Sequence, residues 1–141
     1  MFNDDCFNHL NYKFKNYAKQ SKLGNNTILA TVFQPPMANK FFILFNRIIT
    51  TSHVHILTNT ELVIIEEDNK KNNRKVNYGG IWTFIPLNKI SKIMFHENST
   101  DGKLILSVFQ ADKFHIDSIY SIEYKENLMS FVKTFNEMQN E

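Results

Sequence analysis

The chain opens with a segment whose apolar residues follow a helical period. Between Phe7 and Ala18, large apolar side chains recur at steps of three and four residues, which is the spacing of one helix face. Gly24 stands where such a helix would end, because glycine readily adopts the left-handed conformation of a helix terminus. Residues 12–17 also alternate between apolar and polar, as in a β-strand, but the helical spacing over the longer range of residues 7–18 favours the helix. We therefore predict a helical extension over residues 1–24.

Downstream of this extension, the pattern changes to short strands separated by turn residues. β-Branched and aromatic residues dominate, and clusters of Pro, Gly, Asn, Asp and Thr interrupt them, as in successive β-strands. No interval among the strands is long enough for a second domain, so residues 25–141 are predicted to form one compact domain. The predicted strands are residues 27–33, 40–50, 53–58, 61–67, 81–85, 92–97, 103–109 and 113–116.

The carboxy-terminal segment predicts a second helix, which is amphipathic. One face of this helix carries apolar residues at helical spacing, and charged and amide side chains occupy the opposite face. The residues of the apolar face are Leu128, Phe131, Val132, Phe135 and Met138. Burial of a large apolar side chain stabilises a protein by about 1.5–3 kcal/mol, so this face requires a sheet to pack against. A run of strands followed by one terminal helix is the pattern of an α+β fold.

In the segment YGGIWTFIPLNKISKIMF, the spacing between apolar residues changes in the middle. Its strand at residues 81–85 is apolar on both faces, which predicts that both faces are covered. Pro86 lacks a backbone donor and predicts a strand end. The apolar residues that follow, Leu87, Ile90 and Ile93, are spaced by three and can reach one core only if the backbone bends. We therefore predict that the chain turns a corner here between two nearly orthogonal sheets.

Two segments near this corner resemble a known family. HILTNTELVIIEED at residues 55–68 and GIWTFIPLNKISKI at residues 80–93, followed by a hairpin and a final helix, are similar to bacterial PH-like proteins related to pleckstrin-homology and GRAM domains. The similarity extends over residues 27–139. It implies an α+β fold in which two near-orthogonal antiparallel sheets form a partly open β-barrel, capped by the C-terminal helix, with the N-terminal helix as an addition. It also implies a binding module without catalytic activity.

Composition and charge narrow the range of functions. The chain has 16 Lys and Arg and 14 Asp and Glu, for a formal net charge of +2. A general nucleic-acid-binding protein usually carries a much larger positive charge. Cys6 is the single cysteine, so the chain has no internal disulfide or CxxC motif and fits a reducing compartment. Asp4 and Asp5 stand where a secretory signal would be basic. The apolar run FFILF is far shorter than the roughly 20 residues that span a bilayer, so we expect a cytoplasmic protein.

Basic residues are the candidate sites for anionic ligands. In phosphoinositide-binding PH domains, basic residues cluster around the first hairpin loop. The resemblance places Lys40 of the loop QPPMANK and Arg47 of the next strand in that region. A second basic cluster directly follows Glu66 and Glu67, so mutual neutralisation in a solvated loop is favoured over an anion site. The members of this second cluster are Lys70, Lys71, Arg74 and Lys75.

An apolar loop is the candidate surface for a protein partner. Pro35, Pro36 and Met37 follow the first predicted strand. They form either an exposed tip that contacts a partner or a membrane surface, or a rigid turn, and the turn is favoured because proline fixes the backbone there.

No pattern of catalytic or metal-binding residues is complete. His53 and His55 would share one strand face, as two ligands of a metal would, but no Cys or carboxylate at a diagnostic spacing completes the site. The chain has no nucleophile-elbow or phosphate-loop pattern. Trp82 lies in an apolar strand, which favours a core position over a stacking platform for a base. We predict no enzyme activity, no cofactor and no bound metal.

These features lead to three functional hypotheses. The first is a non-catalytic PH-like module that binds another protein in the cytoplasm, through a sheet edge or the open end of the barrel. The alternative is peripheral binding to anionic membrane lipids through the hairpin tip PPMANKFF, with Lys40, and the basic cluster. Binding of a small molecule inside the barrel is less favoured, because the interior of a small barrel is filled by side chains.

Overall fold

The computed structural model describes residues 27–41, 45–67, 80–111 and 114–140. Within these ranges the chain forms nine β-strands and a carboxy-terminal α-helix, which confirms the α+β class. The helix predicted over residues 1–24 lies outside the described residues and stays a prediction. The elements are β1 Ile28–Gln34, β2 Met37–Phe41, β3 Phe45–Thr50, β4 His53–Thr58, β5 Glu61–Glu67, β6 Gly80–Pro86, β7 Ile90–Glu97, β8 Leu104–Gln110, β9 His115–Tyr120 and α1 Lys125–Gln139.

The strand pairings within the described ranges are antiparallel and form three groups. One sheet has four strands in the order β1-β4-β5-β6, and the other has three strands in the order β7-β8-β9. β2 and β3 form a hairpin inserted between β1 and β4. In this part of the chain no strand pairing joins the two sheets. The predicted pair of antiparallel sheets is therefore confirmed in the described residues, and the two sheets do not form a closed barrel.

The corner predicted after Pro86 is confirmed. β6 ends at Pro86, residues Leu87–Lys89 form one turn of 3₁₀-helix, and β7 of the other sheet begins at Ile90. The Leu87 backbone N–H donates to the Thr60 carbonyl at 3.0 Å, which fixes the turn against the four-stranded sheet. Ile90 and Ile93 enter the core, and Leu87 packs against it. One turn of tight helix thus carries the chain from one sheet to the other.

The hydrophobic core lies between the two sheets and α1. The buried face of α1 presents Leu128, Phe131 and Phe135, which confirms these three residues of the predicted apolar face. Val132 and Met138 of the same predicted face are only partly buried against the core. Gln139 Nε2 at the end of α1 donates to the Ile90 carbonyl at 3.2 Å and ties the helix to the corner. The two sheets contribute Val32, Leu57, Leu62, Ile64, Ile85, Ile90, Ile93, Leu104, Leu106, Val108 and Tyr120 to this core.

Burial differs between the central and the edge strands of the four-stranded sheet. Every residue of β4 is buried, as are residues 62–65 of β5, so these two strands are covered on both faces. In β6, by contrast, Ile81 is 49% exposed and Phe84 is 46% exposed. The prediction that both faces of the strand at residues 81–85 are covered is therefore wrong for these two residues. β6 forms an edge of the sheet, and only its end at Ile85 enters the core.

The prediction of one strand over residues 40–50 is wrong. The chain reverses between β2 and β3, and Phe41 is paired with Phe45 across the hairpin. Met37 is the first residue of β2, so it belongs to a strand and not to a loop. The sequence did not signal this pairing, because the apolar run FFILF contains no Gly, Pro or Asn.

Among the described residues, no helix has the length and apolar character needed to cross a membrane.

The buried face of α1 gives a direct test of the fold. We expect Phe131→Ala to reduce the free energy of unfolding by about 3–5 kcal/mol, because it removes a fully buried aromatic ring and leaves a cavity. Met129 lies on the same helix but is 54% exposed, so Met129→Ala should change the stability by less than about 0.5 kcal/mol. Urea denaturation measures both variants. Equal effects of the two substitutions would contradict the position of α1.

Candidate functional site

A groove runs along α1 beside the core-facing stripe of the helix. It lies between α1 and β7 and has a volume of about 550 Å³. Phe95 of β7 and Met129 and Val132 of α1 form its apolar floor. Because the helical period brings positions three and four apart onto one face, these residues of α1 form a second stripe next to the buried one. The polar rim consists of Lys125, Lys133, Asn136, Glu137 and Asn140. We call this site the α1 groove.

The rim of the α1 groove carries a small excess of positive charge. Lys125 and Lys133 contribute two cations and Glu137 one anion. Lys133 Nζ lies 3.8 Å from Glu137 Oε1, and both side chains are more than half exposed. Exposed pairs of this kind contribute little to stability because water screens them. The rim charges therefore remain available to a partner, while the apolar floor offers area to bury.

A smaller groove lies between β1 and the start of α1. It has a volume of about 200 Å³ and is lined by residues that include Phe33, Pro35 and Tyr124. The buried Gln34 side chain holds this region together, because its Oε1 accepts from the Ser121 backbone N–H at 2.7 Å and its Nε2 donates to the Pro35 carbonyl at 2.8 Å.

These bonds decide between the two interpretations of the proline loop. Pro35 is half-buried and lines the smaller groove, and Pro36 is exposed. Since Gln34 fixes the Pro35 carbonyl, the geometry favours a rigid turn over a free tip. Met37 has already entered β2, so the three residues proposed as one partner surface do not form one loop.

A buried polar cluster joins the two sheets. His55 of β4 places Nδ1 2.7 Å from the Tyr120 hydroxyl of β9, and Tyr120 donates to the Val32 carbonyl of β1 at 3.3 Å. Because Tyr120 has a single proton to give, His55 Nδ1 is the donor in the short bond, and its Nε2 accepts from the Ser118 hydroxyl at 3.4 Å. All three side chains are at least nine-tenths buried, so the network is closed to solvent.

His53 extends this cluster on the same face of β4. Its Nδ1 donates to the Thr51 carbonyl at 3.0 Å, and its ring meets the Tyr120 ring edge-on with centroids 4.8 Å apart. Nε2 is buried without a hydrogen-bond partner in the described structure. A neutral imidazole with an unsatisfied acceptor is costly, and a proton on Nε2 would place a charge in an apolar interior.

Burial keeps the whole cluster neutral at pH 7. It lowers the pKa of His53 to about 4, and the Thr51 carbonyl and the Ile119 backbone offset this only in part. Burial and the neighbouring His53 hold the pKa of His55 well below its usual value. Burial, aided by the negative charge of Glu66, raises the pKa of Tyr120 well above its usual range. The uncharged forms are therefore the ones that the fold selects.

The histidine pair serves the interface between the sheets. Both ring nitrogens of His55 are used in hydrogen bonds within the protein. No group of three or more His, Cys, Asp or Glu side chains in the described ranges is arranged to hold a metal ion. The pattern His-x-His alone did not indicate Tyr120 as its partner, since Tyr120 lies 65 residues further along the chain.

The predicted role of the basic residues in binding an anion stays a prediction. Lys40 is paired with Asn46 across the β2–β3 hairpin and Arg47 with Asn39, so the two basic residues do not face each other in the register. The cluster Lys70, Lys71, Arg74 and Lys75 lies outside the described residues, and its role as an anion site stays a prediction.

Trp82 is half-buried on β6 and packs against its own strand. A Cβ atom added at Gly80 would lie 3.2 Å from the Trp82 ring and 3.3 Å from the Glu66 carbonyl oxygen. The glycine thus leaves space for the ring to lie over the backbone. This packing favours a structural role for Trp82 over that of a stacking platform.

Comparison of the chain with protein-family models, with curated proteins and with solved structures found no significant match.

The buried histidines predict a pH dependence of stability. Their pKa values are lower in the folded than in the unfolded chain. Below about pH 6.5, the usual pKa of histidine, the unfolded chain therefore binds more protons than the folded chain. Stability is fully present above pH 6.5 and is lost as the pH falls toward 4, by at most about 1.4 kcal/mol per pH unit for each histidine.

Urea denaturation between pH 7.5 and 4.5 measures this slope. His53→Gln should reduce the slope by up to half, whereas His96→Gln, which removes an exposed imidazole from β7, should retain it. A free energy of unfolding that does not change between pH 7 and 5 would contradict the neutral state of the cluster.

Proposed function

We propose that this protein is a non-catalytic binding module of the PH-like type and that it recognises another protein in the cytoplasm. The order of elements supports the proposal: a four-stranded antiparallel sheet, a corner, a three-stranded antiparallel sheet and a terminal helix against the core. This is the order that the resemblance to pleckstrin-homology and GRAM domains implies, with the β2–β3 hairpin as an insertion after the first strand.

The α1 groove is the observation that carries the proposal. Its floor of Phe95, Met129 and Val132 is apolar and open, and its rim is polar and charged. Protein interfaces have this anatomy, because a dry apolar centre supplies binding energy and a polar rim supplies orientation. Both walls belong to packed elements: α1 is held by its buried face, and β7 by its pairing with β8. A preformed groove binds at a lower entropic cost than a mobile one.

The position of the titratable groups supports a role without catalysis. In active sites, residues with shifted pKa values line a cleft that the substrate enters. Among the described residues, the strongly shifted groups His53, His55 and Tyr120 are buried. The bond between His55 and Tyr120 joins the two sheets, and burial closes all three groups to a substrate.

Substitution in the groove floor tests this function. We expect Met129→Asp to weaken the binding of the natural partner at least about tenfold, because a charge on the apolar floor must be desolvated on binding. The partner is first captured from native cell extract and identified by mass spectrometry, and its affinity is then measured by calorimetry.

Phe114→Asp is the matched control. Phe114 is an apolar residue that is 70% exposed just before β9, so its substitution should leave the affinity unchanged. Unaltered thermal unfolding of both variants shows that neither acts through the fold. Salt-sensitive sedimentation with anionic vesicles that Met129→Asp does not affect, together with no captured protein, would favour the lipid-binding alternative and contradict this proposal.

A further inference from the structure

β7 forms an edge of the three-stranded sheet and one wall of the α1 groove. β8 pairs with it on one side, and no strand pairs with its other side within the described ranges. The register with β8 is unbroken from Lys92 to Glu97, so this part of the strand is regular. A regular edge strand presents backbone donors and acceptors that a further strand can use.

The alternation of hydrogen bonds in antiparallel pairs identifies the outward groups of β7. At the end of the ladder, the Asn98 N–H donates to the Lys103 carbonyl at 2.7 Å. Because successive residues of such a strand point their backbone groups to opposite sides, His96 faces β8 as Asn98 does. The N–H and C=O groups of Phe95 and Glu97 therefore point away from β8. Phe95 is half-buried and Glu97 is exposed, so the edge is accessible at these two residues.

The accessible part of this edge lies at the floor of the α1 groove. Phe95 lines the groove together with Met129 and Val132 of α1, whereas the preceding outward position, Ile93, is buried in the core. Gln139 near the end of α1 contacts the start of β7, so the helix and the strand run in opposite directions along the groove. A bound segment would therefore meet backbone groups of β7 on one side and apolar side chains of α1 on the other.

This edge is distinct from the surfaces that have interactions outside the described structure. The residues with such interactions include Phe33, Glu67 and Trp82, and they lie on β1, β5 and β6. All of them belong to the four-stranded sheet, and none belongs to β7 or α1.

We propose that the α1 groove binds an extended segment of the protein partner, which adds to β7 as a fourth strand. This inference rests on the proposed function and specifies the backbone conformation of what is bound. A helical ligand satisfies its own backbone and would cover the outward groups of Phe95 and Glu97 without bonding to them, whereas a strand bonds to them directly. Because the side chains of a strand alternate between its two faces, every second side chain of the segment would contact the apolar floor.

The charges around the groove indicate the composition of this segment. Lys125, Met129 and Lys133 follow one another at four-residue steps and share one face of α1, so two cations flank the apolar floor. Glu137 lies 3.8 Å from Lys133, which leaves Lys125 without an ion pair among the described residues. We therefore expect a segment with alternate apolar residues and an acidic residue at the end that meets Lys125.

Amide hydrogen exchange measured by NMR tests the strand pairing residue by residue. In the free protein, the N–H groups of Phe95 and Glu97 should exchange faster than that of His96, which is bonded to β8. Binding of the captured partner should slow exchange at Phe95 and Glu97 at least about tenfold and change it little at His96. Exchange at Phe95 and Glu97 that is already slow in the free protein, or that the bound partner leaves unchanged, would overturn the proposal.

Substitution at Glu97 separates the backbone bond from the charge. Glu97→Pro removes an outward N–H and no bond to β8, and proline is tolerated at sheet edges. We expect it to weaken partner binding at least about fivefold, because a carbonyl of the partner loses its donor. Glu97→Gln removes the charge and keeps the N–H, so it should lose much less affinity. Equal losses in the two variants would assign the effect to the carboxylate and contradict strand pairing. If Glu97→Pro alters thermal unfolding, the exchange pattern decides.

Random peptides of about ten residues, long enough for one strand, provide a probe that does not depend on the natural partner. Peptides selected on the immobilised protein should show alternate apolar residues and an acidic residue, and Met129→Asp should abolish their binding. Apolar residues at three- and four-residue steps would indicate a helical ligand, which overturns the strand and leaves the proposed function intact. Failure to obtain either a partner or a peptide would contradict both. Self-association of the chain that Glu97→Pro abolishes would assign the edge to a second copy and also overturn the proposal.

Discussion

The apolar face of α1 is the contact on which the rest of the structure depends. The described strands of the two sheets share no ladder of hydrogen bonds, so side chains must hold the sheets together. Leu128, Phe131 and Phe135 supply much of this contact by entering the core to which both sheets contribute. Because hydrophobic stabilisation scales with the apolar area removed from water, a helix that left this core would expose both sheet faces at once. The corner after Pro86 is part of the same constraint, since Gln139 at the end of α1 binds the Ile90 carbonyl there.

The buried polar cluster adds hydrogen bonds of defined geometry to this apolar contact. Hydrophobic packing alone tolerates sliding, whereas the bond from His55 to Tyr120 has a defined geometry and spans β4 and β9. The ring of Phe131 lies 6.3 Å from that of His55, edge to face, so the helix packs directly on the polar link. Buried hydrogen bonds contribute modestly to stability but are expensive to leave unmade. The cluster therefore penalises any arrangement of the two sheets in which His55 loses its partners.

Local patterns predicted much of the fold, and nonlocal contacts accounted for the failures. The bounds of β4 and β5, the corner after Pro86 and the buried face of α1 follow from periods and turn residues that a short window contains. The β2–β3 hairpin was missed because an apolar run conceals its reversal, and β9 extends to Tyr120, beyond the predicted end at residue 116. The link between His55 and Tyr120 joins positions far apart in the chain and has no local signature. The α1 groove was not predicted, because the sequence pattern placed Val132 in the core stripe and its other wall, Phe95, comes from a different element.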